Sequence, residues 1–561
     1  MTTTLARLIS VAKGELPADL LLANAKVVNV FSGEIEPGNV AICGDKIAGV
    51  GDYRQGKQML DLGGKYIAPG LINGHIHPES SMLDIAQYAR AVVPHGTTTL
   101  VTDLHEIANV CGLEGMRYVL NRARRLPFDL FLMAPSCVPA THLETSGASL
   151  SPEDIRQILR WKNCLGLGEM MNFPGVIGGD EAVLRKISFA QGKIIDGHAP
   201  RVAGKDLSAY IAAGIYSDHE SVSLDEAKEK LRQGMWVMIR EGSSEKNLDA
   251  LLPLVTDKTY QRCLLVVDDR TCVDLLRDGD IDAVVRKAIH LGLDPVRAIQ
   301  LATINPAEYF RRQQLGAVAP SYMANLIVLN DLSRFQIDLV FYRGDIVARD
   351  GKPLFPTPKA TGRGLTNTVN IKPFAIERLR LMASKEAMPI IEIVPDQIIT
   401  RKRVEKIKAS HGAIIPDTER DILKLVVVER HKATGNIGLD LVTGFGLKHG
   451  ALASSIAHDS HNIITVGTND QDIFTAIKEI EQLQGGLVAV ADGKVLASLA
   501  LPIAGLLSDQ PLEVVVSKLE RLEQVATELG TKLSSSFATL SFLALPVIPE
   551  IRLTDLGVIE V

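Results

Sequence analysis

The stretch PGLINGHIHPESSM, Pro69 to Met82, passes from a short apolar run to two histidines one residue apart. On extended backbone alternate side chains share a face, so the imidazoles of His75 and His77 are expected to point the same way. A His-x-His pair alone is common by chance. Its meaning comes from what surrounds it. Seven further apolar runs follow, separated by polar or helix-forming sequence: TTTLVTD, FDLFLMA, CLGLGEM, GKIIDGH, GIYSDH, GMWVMIR and CLLVVDD. With LINGHIH they make eight, the number of strands that an α/β fold of the (β/α)8 TIM-type barrel class requires. Such barrels gather their reactive groups at the C-terminal ends of the strands. The intervening sequence supports helices, as where Ile107, Val110, Cys111, Leu113 and Met116 recur at helical spacing.

On either side of these runs the texture changes. LLLANAKVVNV and VAICGDKIAGVG before them, and GAVAPSYMANLIVLN and LVFYRGDIVARDG after them, are short strand-like runs broken by glycine and polar turns. We expect a small flanking β domain built from residues 1–70 and 316–361, a metal-binding barrel from 71–315, and a C-terminal α/β or α+β domain from 362–561. In that last part strand-like runs such as HNIITVGT alternate with helical ones such as DIFTAIKEIEQL. A chain of 561 residues, 46% apolar and 22% charged, has material for several cores and little for long disorder. A net charge of -6 offers no field to gather phosphates or anionic lipid, so neither nucleic acid nor a membrane is an expected partner. The opening residues lack the pattern of a secretory leader, no apolar run approaches membrane-spanning length, and the six scattered cysteines read as reduced thiols. The expected location is the cytoplasm.

Polar residues close most of the strand candidates. Glu169 closes LGLGEM, His198 closes IIDGH, His219 closes IYSDH, and Asp268 with Asp269 closes LLVVDD. With His75 and His77 they would place four imidazoles and several carboxylates in one cavity, a mixed donor set that suits divalent cations. Each residue alone has an ordinary explanation, as a buried histidine bonded to a neighbour or a carboxylate paired to a basic group. Gathered without a cation, the carboxylates would repel one another and take up protons. His105 and Glu106 follow the second run at the same mouth. Either they meet the substrate, or Asp103 caps the next helix and Glu106 completes the cap. Ser136 and Cys137 end the third run and either shape the pocket or only pack. AHDSHN, with His458, Asp459, His461 and Asn462, reads as an internally bonded loop without an assigned role.

PGLINGHIHPESSM resembles the opening signature of the amidohydrolase superfamily, and its Glu-Ser-Ser extension resembles the bacterial adenine deaminases within it. GTTTLVTDLHEIANV, PSCVPATHLETSGA, LGLGEMMNFPGV, DGHAPRVAGKDLSAYIAAGIYSDHE, IREGSSEKN, AHDSHN and LALPIAGLLSD are similar to the same family. The resemblance implies a binuclear metal hydrolase that deaminates adenine to hypoxanthine and ammonia by hydroxide attack at C6. By that likeness His75 and His77 hold one ion, His198 and His219 the second, and Glu169 bridges them. Asp268 then ligates the first ion and relays a proton, while His105, Glu106 and Asp269 are expected to meet the substrate. The implied cofactors are two divalent ions, manganese or iron, with zinc compatible. The implied partner is a small-molecule purine, and the implied assembly a homo-oligomer. After the two aspartates the family continues with a basic residue, histidine and proline, whereas this chain reads Arg270-Thr271-Cys272. That departure keeps two alternatives open: a related amidohydrolase acting on another base or cyclic amide, and a metal-binding paralogue altered in catalysis.

Overall fold

Eight parallel strands carry the candidate site, in a computed structural model that describes residues 4–394 and 397–560. They are β1 (Leu71–Asn73), β2 (Thr97–Thr102), β3 (Asp129–Pro135), β4 (Cys164–Met170), β5 (Ile194–Gly197), β6 (Ser217–Asp218), β7 (Trp236–Arg240) and β8 (Cys263–Val266). Strands β1 to β5 pair in chain order as one parallel sheet, and β6 to β8 as a second. Just past β8 and β1 the backbone is stitched. The Asp268 N–H donates to the His75 carbonyl and the His77 N–H to the Asp268 carbonyl, each at 3.0 Å. Between β5 and β6 side chains replace the ladder. The Gly197 N–H donates to Ser217 Oγ at 3.2 Å and the Ala199 N–H to Asp218 Oδ1 at 2.9 Å. The outcome is a curled parallel sheet with helices between its strands.

The strands are buried on both faces because helices cover the outside and packed side chains fill the inside. Every residue of β2 and β4 is buried. Beneath the site Val101, Met133, Leu165, Met238 and Leu264 pack with Tyr309 and Phe310. Each fully buried side chain of this floor contributes roughly 1.5–3 kcal/mol. The helices start where a short polar side chain accepts a first-turn N–H, as Asp84, Ser151, Asp180, Ser223 and Asp294 do.

Two strand expectations need correction. GIYSDH is predicted as a full strand, yet only Ser217 and Asp218 pair, since β6 has no ladder on its β5 side and Tyr216 is 53% exposed. LINGHIH ends as a strand at Asn73. His75 and His77 lie beyond it, and the stitch to Asp268 keeps their backbone extended.

Tyr66–Pro69 pairs antiparallel with Leu326–Asp331, so strands from residues 18–69 and 326–353 share one nine-stranded sheet beside the parallel strands. The C-terminal region holds an eight-stranded sheet between residues 387 and 500. It is antiparallel except where Ala387–Ile393 runs parallel to Ile437–Thr443. After its strand Ala451–Ser454 a buried loop reaches the mouth of the parallel strands. Among the described residues no helix is long and apolar enough to cross a membrane, and Cys111, Cys137, Cys164, Cys263 and Cys272 are free thiols.

Candidate active site

His75 and His77 project from the segment past β1, and Glu169 is the penultimate residue of β4. His198 and His219 directly follow β5 and β6, and Asp268 lies two residues past β8. All six are buried, at 2–6% exposure. Glu169 stands between two groups of donors. Its Oε1 lies 3.5 Å from His75 Nε2 and 3.0 Å from His77 Nε2, while its Oε2 lies 3.2 Å from His198 Nδ1 and 3.6 Å from His219 Nε2. Asp268 Oδ1 joins the first group, 3.3 Å from His75 Nε2 and 3.2 Å from His77 Nε2.

This cluster suits one or two divalent cations. His75 Nε2, His198 Nε2 and Glu169 Oε1 are buried without a hydrogen-bond partner, and such atoms call for an explanation that a cation supplies. Electrostatics agree. Burial disfavours charge on His75, His77 and His198, but the facing carboxylates outweigh it and hold all three above the ordinary imidazole value. Those protons stand in for positive charge that a bound cation would bring, displacing them. Burial and the nearby His75 push His219 down to about 4, which leaves it a neutral imidazole with a lone pair to give.

Around the cluster further polar groups face His77 and Asp268. Asp103 Oδ1 lies 3.4 Å from His77 Nδ1 and 2.9 Å from His105 Nδ1, while His77 Nε2 faces Glu169 and Asp268. Arg240 Nη1 donates to Asp268 Oδ2 at 2.8 Å and to Glu220 Oε1 at 2.5 Å. Sequence reasoning missed Arg240 and Glu220. The signal was present, since Arg240 closes GMWVMIR, but a guanidinium is no metal ligand and was passed over.

The cap reading of Glu106 fails. The helix His105–Ala123 follows Leu104, and Asp103 accepts the His105 N–H at 3.2 Å, but Glu106 turns toward the C-terminal region. Its Oε1 lies 2.7 Å from His458 Nδ1, and its Oε2 pairs with His461 Nε2. Asp459 Oδ1 lies 3.8 Å from His105 Nε2. The AHDSHN loop is therefore a wall of the site, the packing near the strand mouth that the family resemblance implies and that spacing alone does not assign. Ser136 donates its hydroxyl to the Glu169 carbonyl, and Cys137 packs among Ala140, Met171 and Leu545. Asp269 lines the cavity and accepts from Ser80, the middle residue of the Glu-Ser-Ser extension. In the departing loop Thr271 caps the start of the helix Cys272–Arg277 by accepting the Asp274 N–H at 3.2 Å. His77, His105, Glu106, Glu169, Asp269 and His458 line one cavity at the mouth of the parallel strands.

Comparison with known proteins matches two families in tandem. The Amidohydrolase family model covers residues 66–347, and that of the Adenine deaminase C-terminal domain covers residues 397–561. An adenine deaminase of Dehalococcoides mccartyi is 62% identical over 100% of this chain and 98% of its own length. Adenine deaminase 2 of Carboxydothermus hydrogenoformans is 48% identical, over 99% and 97%. The adenine deaminase of Clostridium acetobutylicum is 46% identical, over 99% and 98%. A strand-end cluster of this composition, matched along the whole chain at these identities, places the chain in the adenine deaminase family of the amidohydrolase superfamily.

Proposed function

We propose that this chain hydrolyses adenine to hypoxanthine and ammonia at a binuclear metal centre. The observation that carries the reading is Glu169, whose two oxygens face two different imidazole pairs in a chain similar throughout to adenine deaminases. In this reading His75, His77 and Asp268 hold one cation, His198 and His219 hold the other, and Glu169 is shared. Two divalent cations so placed supply charge that acidifies water near neutral pH and offsets negative charge developing on the ring. The imidazole and carboxylate donors suit manganese or iron, our assignment, and also zinc.

The chain's own groups supply the rest. Deamination at C6 takes a proton from the attacking water and delivers one to the departing amino group. Asp268 is assigned both transfers. Its Oδ2 is held by Arg240, which leaves Oδ1 as the edge turned to the cluster. His105, Glu106 and Asp269 line the same cavity and are assigned to the purine. Phe542, Leu545 and Ile548 of the C-terminal region help close it, and excluding water strengthens the field on the developing charge. The bare base is our assignment over a nucleotide, since the sequence has no GxxxxGK[ST] loop to receive a nucleotide tail.

The same reading treats the two parallel sheets as one closed (β/α)8 barrel, joined by the stitch at Asp268 and the side-chain bonds between β5 and β6. The division into residues 1–70 with 316–361, 71–315 and 362–561 draws support from the sheet shared by both flanks. We assign the chain to the cytoplasm and to a homo-oligomer, the common state of such enzymes.

The test is ammonia release or ring opening by manganese-loaded protein with adenine, adenosine, guanine, cytosine and dihydroorotate. Ammonia from adenine alone is expected. Ring opening of dihydroorotate, preference for adenosine, or silence on every substrate with metal bound contradicts the proposal.

A further inference from the structure

Glu245 stands apart from every contact described above. It lies on the turn after β7, pinned by the bridge between Glu241 and Lys246 and by the Gly242 N–H, which donates to the Glu245 carbonyl at 2.9 Å. A side chain at Gly242 has no room, since its Cβ would lie 2.6 Å from the Asp269 carbonyl oxygen and 3.4 Å from Glu245 Oε2. The turn is thus pressed against the end of β8, and the Glu245 carboxyl lines the active-site cavity. It is only 6% exposed, and neither of its oxygens has a hydrogen-bond partner. The other carboxylates lining that cavity, from Glu106 to Asp459, each face an imidazole, guanidinium or hydroxyl. Arg240 is committed to Glu220 and Asp268 and makes no ion pair with Glu245. Two unmatched polar atoms at such burial cost free energy that a ligand can recover.

We propose that Glu245 binds the free base along its N3 and N9–H edge, with one oxygen accepting the N9 hydrogen, and so sets the preference for adenine over N9-substituted purines. The proposal rests on the adenine reading above. For attack at C6 the six-membered ring must present that carbon to the metal cluster, which directs the N3 and N9 edge away from it. That edge offers an acceptor, N3, beside a donor, N9–H. A carboxyl group with both oxygens free is its complement, one oxygen accepting and the other donating when it carries a proton. Burial, opposed chiefly by Arg240, raises the Glu245 carboxyl above its ordinary value. A nucleoside or a 9-alkyl purine has carbon on N9 and leaves the accepting oxygen unmatched. Sites built around a substrate N–H discriminate strongly against analogues without it.

The experiment compares kcat/KM for adenine and 9-methyladenine in the manganese-loaded wild type, Glu245→Ala and Glu245→Gln, with metal content and thermal melting as controls. Glu245→Ala is expected to lose roughly 10- to 100-fold on adenine, the size of two hydrogen bonds between neutral groups, with 9-methyladenine unchanged and both ions retained. Glu245→Gln is expected to keep most of the selectivity, because its amide offers the same donor and acceptor pair. Equal loss on both substrates, no loss on adenine, or a glutamine variant as unselective as alanine overturns the assignment of Glu245. A wild type that releases no ammonia from adenine overturns the adenine reading itself, and this one with it.

Discussion

Both halves of the histidine cluster depend on Glu169, since no other side chain there faces all four imidazoles. Glu169→Gln keeps the shape but replaces the shared carboxylate charge with a neutral amide, so both sides of the cluster lose an anionic oxygen. Metal content is expected to fall on both sides and turnover to drop by roughly a hundredfold or more, a larger effect than loss of a supporting residue. Elemental analysis beside ammonia release checks it, and a variant with two ions and normal rate would place the bridge elsewhere. Lys162 does not offer that alternative, being exposed at the opposite end of β4. At this scale the sequence was informative because strand-end position and residue type together select His75, His77, Glu169, His198, His219 and Asp268. The partners of Asp103 and Arg240 were not legible. They depend on side-chain directions across neighbouring strands, which spacing along one strand does not encode.

Between elements, the junction of β5 and β6 shows how missing backbone pairing is replaced. Lys230, fully buried, sends its ammonium to Asp218 Oδ2 at 2.8 Å, to the Ala199 carbonyl at 2.7 Å and to Glu226 at 2.8 Å. Three positions around it, Ala199, Asp218 and helix Leu224–Arg232, are thereby tied beside His198 and His219. Lys230→Met leaves the buried Asp218 carboxylate without its ammonium partner, with an expected loss of about 3–5 kcal/mol. Denaturant unfolding measures this, and unchanged stability would show the junction held by packing alone. LDEAKEKLR reads as a solvent-facing helix, so nothing in its composition marks one lysine as buried.

A second element-scale case is Asp440, in the strand Ile437–Thr443 of the C-terminal sheet. Burial pushes its carboxyl up to about 7, with the Leu441 N–H opposing. Between about pH 4 and pH 7 the folded chain holds this proton and the unfolded chain does not, so its contribution falls as pH rises and stays low above that window. Asp440→Asn is therefore expected to be more stable than the wild type at pH 8, with the gap narrowing toward pH 5. Denaturant unfolding of both proteins at the two pH values checks the sign. A gap that is equal at both, or that widens toward pH 5, contradicts it.

Across the whole molecule, the C-terminal region completes the site from outside the parallel strands. Glu106 and His458 are separated by 352 residues, and their contact is set by how two sheets dock, for which no local sequence pattern exists. The parallel strands, by contrast, were legible from eight apolar runs because strands buried on both faces leave a continuous apolar trace. The shortening of β6 was not, since GIYSDH has the same composition whether or not a neighbour pairs with it. What the assembled site does is tested most directly by titrating metal-free protein with manganese while following ammonia release from adenine. The account predicts a rate that rises to its plateau at two ions per chain. A plateau at one ion, or no ammonia with two ions bound, would contradict it.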